Sequence, residues 1–205
     1  GLRLGGTDFD KVLSLGFAMP LLGYGAQIGA ELGGSTHTAP RALFHDLASW
    51  EKIPFVYDAA LVREVRRWAR LAPDAAAFGR LADVLESHLG HDVAYAVEAG
   101  KIAANGAKAA DIDLSVVERG LSVTLTRAAL DASLQSQARQ IADMALETLR
   151  DAGNAPGTVD KVVYVGGSSL LGAVRDAMAR ALPDAEPVET AVFTAVVDGL
   201  AIAAE

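Results

Sequence analysis

The chain has 205 residues, half of them hydrophobic with few aromatics, and a formal net charge of −8, so it can build one sizeable core or two small ones from alanine, valine and leucine. The acidic balance argues against nucleic acid, whose binding needs clustered Lys and Arg, and the lack of cysteine excludes disulfides, thiol catalysis and thiolate metal sites. No apolar run reaches the roughly 18–20 residues that span a bilayer, and nothing resembles a signal peptide, so a cytoplasmic protein that binds neither membrane nor nucleic acid is expected.

Residues 1–10 read as the end of a short alternating strand, Leu2–Leu4, running into a glycine turn, Gly5-Gly6. Because the chain opens on Gly1 with structure already under way, it is expected to be a piece of a longer protein. A helix over about Phe9–Met19 follows, with Asp8 or Asp10 as its cap; Pro20 predicts a disturbance near its end. Leu22 to Gly29 imitates a dinucleotide fingerprint, but its spacing is G-x-G-x-x-x-G and no strand precedes it, so that reading is rejected. Residues 23–41 read as a loop. His37 and His45, without a further ligand pattern, read as surface histidines.

The pattern from Tyr57 to Arg70 is helical, with Leu61, Val65 and Trp68 inward and a basic stripe of Arg63, Arg66, Arg67 and Arg70 outward. A second helix spans about Asp74–His88, with Phe78, Leu81 and Leu85 inward. His88 and His91 lack a third ligand and are not read as a metal site. A third helix, about Asp92–Ala104, carries Glu98 and Lys101, locally an i, i+3 ion pair. The runs 107–114 and 121–125, separated by Glu118-Arg119-Gly120, predict a β-hairpin. Thr126 then caps a long helix to about Arg150 whose stripe is Leu130, Leu134, Ala138, Ile141, Ala145 and Leu149, with Gly153 as its stop.

The stretch Val162-Val163-Tyr164-Val165-Gly166-Gly167-Ser168-Ser169 organises the chain. Its apolar half predicts a strand buried on both faces. The glycines allow a sharp turn and close approach of another molecule, and a serine is expected to cap a helix carrying Leu171, Val174, Met178 and Ala181. A strand, a glycine turn and a helix start form a natural ligand site, because free N–H groups point outward there. A last apolar helix is expected over 191–204. The simplest organisation is an α/β protein in which 1–8 and 131–205 form one subdomain, and 9–130 forms an inserted α+β subdomain of helices plus a hairpin.

Four of these segments, in this order, resemble the ATPase domain of DnaK-type heat-shock chaperones. Gly5-Gly6-Thr7-Asp8-Phe9-Asp10 is similar to that family's G-G-x-D-F-D turn, Glu98-x-x-Lys101 to its ribose-contacting E-x-x-K, Leu125-Thr126-Arg127 to its L-T-R segment, and Val165-Gly166-Gly167-Ser168-Ser169 to its adenosine motif. Met19-Pro20-Leu21-Leu22-Gly23, Glu98–Ala103 and Asp198-Gly199-Leu200-Ala201 further resemble the YegD-type subgroup, DnaK-like chaperones without a well-defined client. The resemblance implies the second lobe of an actin-like ATPase, a ribonuclease-H-like remnant with the inserted subdomain. It also implies ATP or ADP as ligand, and a protein client or exchange factor as partner.

By the same resemblance, Gly5, Gly6, Glu98 and Lys101 meet ribose, and Gly166, Gly167 and Ser168 meet adenine or the adjoining phosphate edge. The family's two adenine-stacking arginines fall at Ile102 and Leu170, and its adenine-reading serine at Asn105; weaker or differently selective adenine binding is therefore expected. The family's phosphate loops, catalytic lysine and Mg²⁺-ordering acids have no counterpart here and belong to the first lobe. ATP hydrolysis is expected only of the full-length protein, and none of the residues here is assigned a catalytic role.

Overall fold

The computed structural model describes residues 1–30, 34–189 and 200. They fall into two compact units, one of Gly1–Gly6 with Leu134–Glu205 and one of Thr7–Ser133. Among the described residues no helix is long and apolar enough to cross a membrane.

In the Thr7–Ser133 unit, α1 (Gly6–Leu13) begins earlier than the capping pattern suggests. It runs through a π-helical turn, Ser14–Ala18, into α2 (Met19–Leu21). Pro20 has no N–H to donate and its ring crowds the preceding turn, so the widened turn lies directly upstream of it. The same turn keeps the buried face in line. Phe9, Leu13, Ala18 and Leu22 are all fully buried, and the five-residue step from Leu13 to Ala18, which would leave the face of an α-helix, is the one the π turn takes up.

The loop expected over 23–41 holds a minimal antiparallel pair, β1 (Gln27–Ile28) and β2 (His37–Thr38). A helix the sequence reading missed, α3 (Arg41–Leu47), follows Pro40. Next come α4 (Ala59–Leu71) and α5 (Ala75–Glu86). Asp58 accepts from the N–H groups of Ala60 and Leu61, and Asp74 from that of Ala77, each satisfying orphan donors of a first turn. The two helices pack through Val65 and Trp68 against Phe78, Leu81 and Leu85, with the Trp68 and Phe78 rings edge to face at 5.9 Å. Fully burying side chains of this size contributes about 1.5–3 kcal/mol each. Arg66 clasps Asp83 at 2.7 Å and Glu86 at 2.8 Å. The basic stripe is thus partly an internal brace of the α4–α5 pair.

The helix α6 (Gly90–Gly106) lies on a hairpin of β3 (Ala109–Asp113) and β4 (Ser122–Thr126), paired antiparallel with Ala110 opposite Leu125 and Ile112 opposite Val123. Gly100 makes the close approach possible, since a methyl group there would stand 2.6 Å from Ile112 Cγ1. Thr126 Oγ1 accepts from Ala129 N–H and caps α7 (Arg127–Asp151). Leu130, Leu134 and Ala138 are buried while Ile141, Ala145 and Leu149 are half-buried, so the stripe loosens toward its end. The helix closes as expected at Gly153. With φ at +73°, Gly153 donates to Arg150 O while Asn154 donates to Leu149 O, a Schellman stop.

In the Gly1–Gly6 and Leu134–Glu205 unit, β5 (Lys161–Tyr164) pairs in parallel with β6 (Glu186–Glu189). The crossover is α8 (Gly172–Ala181), whose Val174, Ala177 and Met178 are buried. β6 was missed in the sequence because it contains Pro187 and two glutamates. Three expectations are corrected here. Residues 2–4 form no strand, having no pairing partner among the described residues. β5 is not buried on both faces: Tyr164 is buried, yet Val163 is 55% exposed, because among the described residues its sheet has only two strands. Finally, the serines cap no helix; Ser168 and Ser169 sit inside a 3₁₀ turn, Gly167–Leu170, and α8 starts after Leu171 without a side-chain cap. The helix expected over 191–204 lies outside the described residues.

Candidate functional site

The expected ligand residues lie partly in each unit. In the Thr7–Ser133 unit they gather on α6, whose buried face reads Val93, Val97, Gly100, Lys101 and Ala104. A lysine in that series needs an internal partner, and its side chain is only 9% exposed. Its Nζ lies 2.7 Å from Oδ1 of Asp10 on α1. The local reading of Lys101 as the ion-pair partner of Glu98 is thereby corrected, because burial directs the ammonium inward to α1. It follows that Asp10, in the second turn of its helix, is not a cap.

Burial pushes the Asp10 carboxyl above its ordinary pKa. The hydrogen bond and charge of Lys101 act against that rise, and the nearby charge of Glu98 adds to it. Glu98 itself is exposed, and its carboxylate can accept hydrogen bonds from a ligand. Ile102, one residue beyond Lys101, is 63% exposed. Asn105 is half-buried, and its carbonyl accepts from the guanidinium of Arg127. Arg127 also holds Asp131 at 2.9 Å. The arginine of the L-T-R segment thus ties the end of α6 to the start of α7.

In the other unit, Gly166 takes φ +81° and ψ 154°, a conformation essentially restricted to glycine. Ser169 Oγ donates to Gly166 O at 2.7 Å and its backbone N–H donates to the same carbonyl, fixing the turn. The two glycine turns adjoin. A methyl group on Gly6 would lie 3.6 Å from Ser168 Oγ, so the backbone of Gly5-Gly6 and the 167–170 turn face a common space. Leu170 is exposed at its edge. Arg175 extends from α8 over the Tyr164 ring and reaches Glu189 at 2.5 Å, and burial pushes the Tyr164 hydroxyl above its ordinary pKa.

Asp10, the counter-charge of Lys101, was missed in the sequence reading, although a lysine at i, i+4 from Val97 on an apolar face signals a buried partner. His88 and His91 are engaged with aromatic rings: His88 stacks on Tyr57 at 4.2 Å and His91 lies 4.5 Å from Trp50. Among the described residues no group of three His, Asp or Glu side chains is placed to hold a metal ion. A groove of about 390 Å³ between α4 and α5, lined by Tyr57, Val62, Arg63, Leu85 and His88, includes none of the motif residues.

No protein-family model matches the chain, and no curated protein matches it either.

Proposed function

We propose that the chain is the nucleotide-holding lobe of a DnaK-like, actin-type ATPase. The observation that carries the reading is the buried Asp10–Lys101 pair. It joins the last residue of the G-G-x-D-F-D segment to the E-x-x-K helix, two motifs that the resemblance assigns to one ribose. Further support comes from Gly6 and Ser168, which bring the first glycine turn beside the second.

In this reading Glu98 accepts from the ribose hydroxyls. Lys101, with three N–H donors and one counter-charge, offers a remaining donor to a ligand oxygen. The glycine turns supply backbone N–H groups to adenosine and the phosphate edge. Ile102 and Leu170, both exposed, offer apolar contact to a base in place of guanidinium stacking. Mg²⁺ and phosphoryl transfer belong to groups outside this set.

Calorimetric titration of the chain with ADP tests the proposal. Binding is expected in the micromolar to millimolar range, weakened about tenfold or more by Glu98→Ala with unchanged circular dichroism. No ATP turnover by the chain alone is expected. Absence of ADP binding at several millimolar refutes the reading. It would favour instead a non-enzymatic interaction module, which the apolar Ile102 and Leu170 also suit.

A further inference from the structure

An exposed aromatic cluster of the described residues lies outside the motifs named above, partly on α6 one turn before Glu98. Trp50, in the turn after α3, meets two rings of α6. His91 is 4.5 Å away at an interplanar angle of 68°, and Tyr95 is 5.1 Å away at 75°. His91 and Tyr95 are one turn apart, so both rings stand on the same face of the helix. They rise roughly perpendicular to the indole and form a corner with aromatic walls. The corner is open to solvent: Tyr95 is 56% exposed and Trp50 36%. Phe55, on the same connection, is 84% exposed as well, and exposed apolar surface of this kind marks interaction sites.

Charge decides what fits. Glu51 follows Trp50 directly, and Asp92 sits between His91 and Tyr95 on the outer surface of α6. Among the described residues neither carboxylate has an ion-pair partner. The nearby Lys52 is engaged with Asp46 at 2.8 Å, and Lys101 further along α6 with Asp10. The corner therefore combines π faces with unneutralised negative charge on a chain of net charge −8. Aromatic faces rimmed by carboxylates attract a desolvated cation. A flat guanidinium stacks on an indole or phenol and still presents N–H groups to carboxylates at its rim, which a compact ammonium does less well.

We infer that the Trp50–His91–Tyr95 corner is a docking site for an arginine side chain presented by a partner polypeptide. The inference does not rest on the nucleotide reading, since it uses neither Glu98 nor the glycine turns.

The test is a titration of the ¹⁵N-labelled chain with an arginine-containing peptide, Gly-Arg-Gly-Arg-Gly, followed at the two tryptophan indole N–H signals. Trp50 is expected to shift and saturate, while buried Trp68 serves as an internal control and stays in place. Replacing arginine by citrulline, which keeps the shape and removes the charge, should weaken binding at least fivefold. Tyr95→Leu should weaken it two- to tenfold and Tyr95→Phe less than twofold, with Asp92→Asn reducing its salt dependence. Equal binding of the citrulline or lysine peptide overturns the assignment. So does an unshifted Trp50 signal at millimolar peptide, or full affinity in Tyr95→Leu. ADP titration of Tyr95→Leu gives wild-type affinity if the two sites are independent.

Discussion

Replacing Lys101 by methionine removes one half of a buried ion pair and keeps most of the volume. Asp10 is then left with a side chain 19% exposed and no counter-charge. Breaking such a pair on one side costs about 3–5 kcal/mol when the remaining charge stays ionised. Asp10 has an escape, however, because it can take up a proton. For a carboxyl with a reference pKa of 3.8, protonation at pH 7 costs about 4 kcal/mol at 1.36 kcal/mol per unit, which caps the penalty. A loss of about 2–4 kcal/mol at pH 7 is expected.

The sign of the pH dependence follows from the same exchange. In Lys101→Met the folded pKa of Asp10 lies still further above its unfolded value than in the parent, so above pH 3.8 the folded state binds more protons. Stability of the variant therefore rises as pH falls. The penalty shrinks by up to about 1.4 kcal/mol per pH unit while the folded carboxyl keeps its proton. Asp10→Asn leaves the ammonium unpaired instead, and acid gives it no relief, so its penalty does not shrink between pH 7 and 5. The double variant Asp10→Leu/Lys101→Met is expected to lie within about 1 kcal/mol of the parent, because burial already outweighs the attraction of Lys101 at Asp10. Urea unfolding at pH 7 and pH 5, followed by the fluorescence of buried Trp68, measures all four proteins. A Lys101→Met penalty below about 0.5 kcal/mol, or one that does not change with pH, refutes the reasoning.

Two mid-helix glycines are expected to behave oppositely. Gly100→Ala drives its methyl into Ile112 and costs about 1–3 kcal/mol, whereas Gly79→Ala, with nothing within 4 Å, stabilises α5 by about 0.5–1 kcal/mol; thermal midpoints of the two variants give the comparison. Thr126→Ala loses the cap on Ala129 and costs about 1 kcal/mol, measurable in the same unfolding series. Gly166→Ala strains the turn at φ +81° by about 1–3 kcal/mol and should lower ADP affinity alongside; unaltered stability and affinity would show that the turn relaxes freely.

What the sequence made legible was what neighbours in the chain decide. The Thr126 start and Gly153 stop of α7, and the hairpin of 109–126, rest on side chains within a few residues of the groups they satisfy, whereas the Asp58 and Asp74 caps were not read from the sequence. Burial of β5 was misread because it depends on how many strands and helices surround it, which Val162-Val163-Tyr164-Val165 does not encode. The partner of Lys101 was misread for a related reason. Glu98 is closer in sequence, but once α1 and α6 pack the Lys101 ammonium meets Asp10 at 2.7 Å. Ser168 and Ser169 have the composition of a cap, but both sit in the 3₁₀ turn, where Ser169 braces Gly166 instead. The proposed ligand role rests on matched motifs; the side chains joined to them, Asp10 to Lys101 and Arg127 to the Asn105 carbonyl, came only from the three-dimensional arrangement.

The short parallel pair of β5 and β6 bears on how the chain behaves in concentrated solution. Among the described residues β5 has one strand neighbour, and its outward side chains, Val163 and the following Val165, are exposed. An apolar run with a free hydrogen-bonding edge is a template for the same run in another copy. The charge at its head, Lys161, loosely paired with Glu186 at 3.5 Å, is the local gatekeeper against such growth. Lys161→Val should therefore shorten the lag of fibril formation at constant fold stability, and Val163→Lys should lengthen it.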